Sequence, residues 1–182
     1  MNLPNALTVG RIFLVPLLVV VLLTKFEGRL IFGVRKELVG AAIFGLASLT
    51  DFLDGYLARR RKQITTLGQL MDPLADKLLI TAALLSLVQL DLAPAWMAAV
   101  IIGREFAVTI MRGIAAGRGV AIPASPMGKF KMVAEVVAIL ALILGQDHLQ
   151  QFYVIGTVAL WIAMVTATIS GVDYYRKFVR LA

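Results

Sequence analysis

Six apolar runs, broken by proline, glycine and polar residues, carry most of the chain. They cover about residues 8–24, 37–61, 69–90, 94–117, 127–145 and 151–175. Each approaches or exceeds the roughly 20 mostly apolar residues that a helix needs to cross a bilayer. The pattern predicts an all-α polytopic membrane protein with six transmembrane helices. Ahead of the first run, the stretch from Leu3 to Arg11 mixes apolar and polar positions, which predicts a short N-terminal interfacial helix. Pro16 predicts a bend in the first span. Asn5, Thr8 and Arg11 recur every three residues and share a helical face. That face is either an interfacial anchor or the border of a functional site. No repeat, low-complexity segment or long polar linker interrupts the runs, so residues 1–182 read as a single membrane domain.

Composition strengthens the membrane reading. Of 182 residues, 60% are hydrophobic, and the mean hydropathy is +0.88; soluble domains sit near 45–50% apolar. There is no cysteine, which excludes a disulfide framework and a thiolate metal site. The single histidine, His148, cannot build a histidine metal site and reads as a loop residue. The net charge is +7. Its basic residues cluster at the ends of apolar runs, which fits a membrane surface and anionic lipid rather than nucleic acid. The first five residues lack a basic leader region, so no removable signal peptide is expected.

The same charges predict orientation. With both termini inside, the cytoplasmic side gathers Arg59, Arg60, Arg61, Lys62, Arg118, Lys129, Lys131, Arg176, Lys177 and Arg180. The opposite side holds Lys25, Arg29, Arg35 and Lys36. The excess of lysine and arginine places both termini in the cytoplasm. It also places the turn between spans two and three there.

Around that turn lie four carboxylates. Asp51 and Asp54 are spaced i, i+3, and Asp72 and Asp76 are spaced i, i+4, so each pair projects from one face of its own helix. Acids at membrane depth are costly and persist mainly where they bind ions or do chemistry. Four close carboxylates repel unless a cation neutralises them. A hard divalent ion with oxygen ligands, Mg²⁺ or Mn²⁺, fits, and four acids accommodate two ions. Such ions commonly also hold substrate phosphates. Gly55, Ala58 and Gly68 leave room for a ligand to approach the backbone closely. Arg59 either contacts a phosphate or snorkels to the interface, and Arg60, Arg61 and Lys62 read as snorkelling charges. The bland alternative for the acids is a set of structural salt bridges to Arg104, Lys77 or Arg112. Glu27, Glu37, Asp91 and Asp147 lie at segment ends and are expected to be solvated.

The pattern Asp-x2-Asp-Gly-x2-Ala-Arg-x8-Gly-x3-Asp-x3-Asp, matched at every fixed position from Asp51 to Asp76, resembles the signature of the CDP-alcohol phosphotransferases. The resemblance implies an integral membrane enzyme with six transmembrane helices, commonly a homodimer. Such enzymes move a phosphatidyl or related group from a CDP-linked donor to an alcohol and release CMP. By that resemblance Asp51, Asp54, Asp72 and Asp76 are metal ligands, with Asp76 also the general base. Gly55, Ala58, Arg59 and Gly68 would border the CDP moiety.

Beyond the signature, most of the chain is similar to one branch of that family. The stretches that carry this are Asn2 to Thr8, Arg104-Glu105-Phe106 followed by Arg112, and Gly128-Lys129-Phe130-Lys131. The branch often has threonine after the last of these, where this chain has Met132. Its substrates would be CDP-diacylglycerol and glycerol 3-phosphate, used at the cytoplasmic face of the cell (inner) membrane. The residues agree with that choice. Glycerol 3-phosphate is a small dianion, and its pocket needs fixed positive charge. Arg104, Arg112, Arg118, Lys129 and Lys131 are the candidates for that role, with Glu105 and Glu135 placed to orient them. Lys129 and Lys131 also fit ordinary positive-inside flanking. Two other readings stay open. One is the same chemistry with inositol phosphate, serine or phosphatidylglycerol as acceptor; the other is a divalent-cation transporter that uses the acids as a transport site.

Overall fold

In the computed structural model the chain is a bundle of helices. The structure describes residues 3–24, 30–31, 33–61, 66–119, 126–146 and 150–181. Within these, the side chains of residues 3–7, 30, 51–61, 66–73, 126, 129, 150 and 181 fall outside the description. The helices are α1 (Leu3–Leu23), α2 (Lys36–Arg61), α3 (Thr66–Gln89), α4 (Ala95–Gly117), α5 (Pro126–Leu144) and α6 (Gln150–Leu181). Four of them, α2 to α5, coincide with predicted runs to within a few residues at both ends, whereas α1 begins earlier, at Leu3, and α6 continues to Leu181.

The N-terminal prediction needs correcting. α1 runs unbroken from Leu3 to Leu23, straight through Pro16, so no separate short helix precedes the first span. Thr8 and Arg11 are only 1% exposed. Their face therefore packs inward, which speaks against a simple surface anchor; the Asn5 side chain lies outside the described residues. A second addition is a small antiparallel hairpin, β1 (Leu30–Ile31) with β2 (Val34–Arg35), where Leu30 pairs with Arg35 and Ile31 with Val34. Gly33, at φ +80°, makes its turn.

Local chemistry explains the helix ends. α2 begins directly after β2, and its first residue, Lys36, donates from Nζ to the Leu22 carbonyl at 3.1 Å. A buried ammonium thus caps the C-terminus of α1, where free carbonyls and the helix dipole favour a cation. The next residue, Glu37, is buried at 6% exposure, contrary to the expectation that it is solvated. The cause is that the start of α2 packs on both the hairpin and the end of α1. Asp91 is exposed as expected, in the left-handed region at φ 58°, and it ends α3 in a tight turn. Glu27, Asp147 and His148 lie outside the described residues. Pro94 at the head of α4 has its φ fixed at −63° and accepts from the amide of Met97.

The core runs along the bundle axis through Leu18, Leu22, Phe44, Leu79, Leu84, Leu87, Met97, Ile101, Ile139, Leu142, Ile143 and Leu160. α1 packs on α2 and α3, α4 packs on α6, and the most extensive contact joins α5 to α6. Gly156 permits that contact: a Cβ there would meet the Leu142 backbone nitrogen at 2.8 Å. Trp96 of α4 meets Trp161 of α6 edge to face, with ring centroids 5.6 Å apart.

The periphery is apolar, with Phe13, Leu46, Leu85, Ile110, Val133, Val158 and Val172 all facing outward. Among the described residues, the segment Gln151–Arg180 is long and apolar enough on its own to cross a membrane, and Thr8–Leu23 is a shorter apolar helix. α4 and α5 fall short because of charges along their length. α4 carries Arg104, Glu105 and Arg112, and α5 carries Lys129, Lys131 and Glu135.

Candidate functional site

Arg104, Glu105 and Arg112 of α4 and Lys131 and Glu135 of α5 face one cavity. It has a volume of about 230 Å³ and is enclosed by α3, α4, α5 and α6. Asp76 and Lys77 enter it from α3, Arg104, Glu105 and Arg112 from α4, Gly128, Lys131 and Glu135 from α5, and Ser170 and Tyr174 from α6. Ile80, Ile101 and Ile102 supply apolar wall.

Helix spacing brings these side chains together. Lys131 and Glu135 are one turn apart on α5, and the lysine Nζ lies 3.1 Å from Glu135 Oε1. Across the helix interface the same ammonium donates to Glu105 Oε1. Arg104 donates to that oxygen as well, at 2.5 Å, and donates through its other terminal nitrogen to Ser170 Oγ at 2.8 Å. Lys131 and Glu135 are 4% and 3% exposed. Charges this deeply buried are tolerable only when paired. The two glutamates do what the sequence suggested, orienting the basic residues around them.

Arg112 is held differently. Its Nε donates to the Tyr174 hydroxyl at 3.3 Å, and its guanidinium carbon lies 5.2 Å from the Tyr174 ring centroid. The tyrosine thus engages the cation with both its dipole and its π face. Arg112 remains mostly exposed along the rest of its surface, at the rim of the cavity.

Of the predicted acceptor-binding residues, Arg104, Arg112 and Lys131 meet in this cavity. Arg118 does not line it; it caps the C-terminus of α4, exposed, beside Gly119 at φ +74°. The side chain of Lys129 lies outside the described residues. Sequence reading assigned no site role to Lys77, Ser170 or Tyr174. The available signal was weak: Ser170 and Tyr174 form an i, i+4 pair, but α6 also carries Thr157, Thr166, Thr168, Asp173, Arg176 and Lys177.

The aspartate signature straddles two packed helices. Asp51, Asp54, Gly55, Ala58 and Arg59 fall in α2, and Gly68, Asp72 and Asp76 fall in α3. The backbone is helical at every one of these positions. The i, i+3 and i, i+4 spacings therefore fall within continuous helix. Asp76 is half-buried and lines the cavity, whereas the side chains of Asp51, Asp54, Gly55, Ala58, Arg59, Gly68 and Asp72 lie outside the described residues. Among the described residues no group of three candidate ligands forms a metal site. The donor set that fits a hard divalent cation is the all-carboxylate one, to which the described side chains contribute Asp76.

The chain is similar to known proteins over nearly its whole length. The family described as CDP-alcohol phosphatidyltransferase matches residues 1–169. The chain is 45% identical to the CDP-diacylglycerol--glycerol-3-phosphate 3-phosphatidyltransferase of Bacillus subtilis (strain 168), covering 97% of this chain and 94% of that protein. It is 37% identical to the Rickettsia typhi protein of the same name, over 96% of each chain. It is 38% identical to a probable phosphatidylglycerophosphate synthase of Mycobacterium tuberculosis, over 98% of this chain and 82% of that one.

Proposed function

The chain belongs to the CDP-alcohol phosphatidyltransferase family, and from that membership we propose that it transfers the phosphatidyl group of CDP-diacylglycerol to glycerol 3-phosphate, giving phosphatidylglycerophosphate and CMP. The observation that carries this reading is one cavity that brings Asp76 together with Arg104, Arg112 and Lys131. A base and a cluster of fixed cations are what a phosphorylated alcohol requires. The volume of about 230 Å³ suits a three-carbon phosphate. Two of the three relatives named above carry the same donor and acceptor in their names.

The reaction needs three things from the chain. Arg104, Arg112 and Lys131 hold the acceptor's phosphate, which fixes the primary hydroxyl near Asp76. Asp76 accepts the hydroxyl proton as the oxygen forms its bond to the lipid-side phosphorus. The bond from that phosphorus to the CMP oxygen breaks, and CMP leaves with the electron pair. Gly55, Ala58 and Gly68 leave space for the cytidine diphosphate, and Arg59 pairs with its charge. Asp51, Asp54, Asp72 and Asp76 would hold one or two Mg²⁺ or Mn²⁺ ions, which neutralise charge on the diphosphate and on the departing oxygen.

The protein works as one membrane domain, with six spanning helices, both termini in the cytoplasm of the cell (inner) membrane, and two copies forming a homodimer. The apolar periphery and the even number of helices support this arrangement. Of the charged residues that weaken α4 and α5 as isolated spans, Arg104, Glu105, Lys131 and Glu135 turn into the cavity, where they are paired.

The direct test is CMP release by purified protein given CDP-diacylglycerol, Mg²⁺ or Mn²⁺, and a panel of glycerol 3-phosphate, inositol phosphate, serine and phosphatidylglycerol. Release with glycerol 3-phosphate alone is expected. Preference for another acceptor would move the assignment within the family, and absence of release with every acceptor would overturn it.

A further inference from the structure

The positions of both cavity arginines are set by a helix outside the family signature. On α6, Ser170 and Tyr174 are one turn apart on one face and are 2% and 3% exposed. Ser170 Oγ accepts from Arg104 at 2.8 Å and donates to the Ala167 carbonyl at 3.1 Å, so the hydroxyl is fixed at both ends. The Tyr174 hydroxyl accepts from Arg112 at 3.3 Å. Gly171 lies between them. A Cβ at that position would meet Arg104 Cγ at 3.1 Å, so the bare glycine is what lets the arginine stem lie against α6.

The signature aspartates lie in α2 and α3, and α6 contributes none of them. A packing role alone would not require hydroxyls, because an apolar side chain of similar size fills the same volume. What the hydroxyls add is direction. Arginine is rich in rotamers, and each rotamer frozen on binding weakens the complex, so an arginine already held in place binds its anion more tightly.

We propose that Ser170, Gly171 and Tyr174 form a ledge on α6 that holds Arg104 and Arg112 in the arrangement that receives the acceptor's phosphate, making them positioning residues for acceptor selection. The ledge acts through the two arginines and makes no contact with the diphosphate of the donor. The inference rests on the glycerol 3-phosphate reading above.

The test is steady-state kinetics of purified protein with Ser170→Ala, Tyr174→Phe and Ser170→Thr, each varied against both substrates. Loss of one hydroxyl should raise KM for glycerol 3-phosphate about tenfold, as expected for a hydrogen bond to a charged group. KM for CDP-diacylglycerol should stay within about twofold, and Ser170→Thr, which keeps the hydroxyl, should retain the wild-type KM. Thermal melting in detergent identifies any variant that fails to fold. Tyr174→Phe keeps the ring and decides the matter if Ser170→Ala is unstable. If wild type releases CMP with glycerol 3-phosphate while both variants keep its KM, the ledge is overturned and the function stands. An equal rise in both KM values, or a fall confined to kcat, also overturns the ledge. Failure of wild type with glycerol 3-phosphate overturns the functional reading and the ledge together.

Discussion

Lys131 joins two glutamates on two helices: its ammonium bonds Glu105 of α4 and lies 3.1 Å from Glu135, one turn along α5. Removing it leaves the buried Glu135 carboxylate without its cation, while Glu105 keeps Arg104. Lys131→Met should lower stability by about 3–5 kcal/mol, the usual cost of breaking a buried pair from one side. Adding Glu135→Gln should return part of that loss, because the double variant no longer buries that uncompensated carboxylate. Detergent melting curves of the single and double variants measure both effects. Equal stability of Lys131→Met and wild type would show that the pairing contributes nothing.

The assignment of Asp76 makes a kinetic claim. Asp76→Asn keeps the shape and removes the base, and it should slow CMP release about 100-fold or more. Chelation of divalent ions should abolish release, and added Mg²⁺ or Mn²⁺ should restore it. Full activity in Asp76→Asn would remove the base from the mechanism. Undiminished activity in excess chelator would remove the metal.

Helix contact depends on one missing side chain. In Gly156→Ala the new methyl group meets the Leu142 backbone nitrogen at 2.8 Å and Leu142 Cγ at 2.7 Å. The backbone cannot yield without parting α5 from α6, and the expected loss is about 1–3 kcal/mol. At Gly113 a methyl group meets nothing within 4 Å, so Gly113→Ala should be neutral or slightly stabilising. Melting temperatures of the two variants should diverge, and equal values would contradict the close approach.

Topology can be read chemically. The chain has no cysteine, so one introduced thiol reports on one place. Asp91→Cys lies in the exposed turn between α3 and α4, and Arg176→Cys lies on the exposed face near the end of α6. With six crossings, a membrane-impermeant maleimide should label position 91 in intact cells and position 176 only in inverted vesicles. Labelling of both from the same side would refute the six-span arrangement.

How much of this was legible in the sequence depended on the range of the contact. Helices announce themselves locally, by apolar runs that stop at Asp91, Pro94 or Gly119, and four of the six, α2 to α5, were bounded to within a few residues at both ends. The signature was equally local, since i, i+3 and i, i+4 spacing needs only a helix. Thr8 and Arg11 left two readings open, because polar residues near an apolar run can look like a surface, and only packing shows that they turn inward. Glu37 misled for the same reason, and only the packing of α2 on the hairpin and α1 buries it. The partnership of Ser170 with Arg104 and of Tyr174 with Arg112 spans 66 and 62 residues. No periodicity reports a contact of that kind; it exists only once α6 lies against α4.

The cavity lining also has a bearing on how a turnover ends. Its four cations, Lys77, Arg104, Arg112 and Lys131, face three carboxylates, Asp76, Glu105 and Glu135. The proposed acceptor reacts at its hydroxyl, and its phosphate passes unaltered into the product. The groups that recruit the substrate therefore grip the product by the same handle, and exit becomes the reverse of capture. Phosphatidylglycerophosphate should then inhibit competitively against glycerol 3-phosphate, while phosphatidylglycerol, without the terminal phosphate, should not. Equal inhibition by the two lipids would show that the handle is not what holds the product. Dephosphorylation by another enzyme would then do more than process the lipid: by destroying the handle, it would keep the vacated cavity from being refilled.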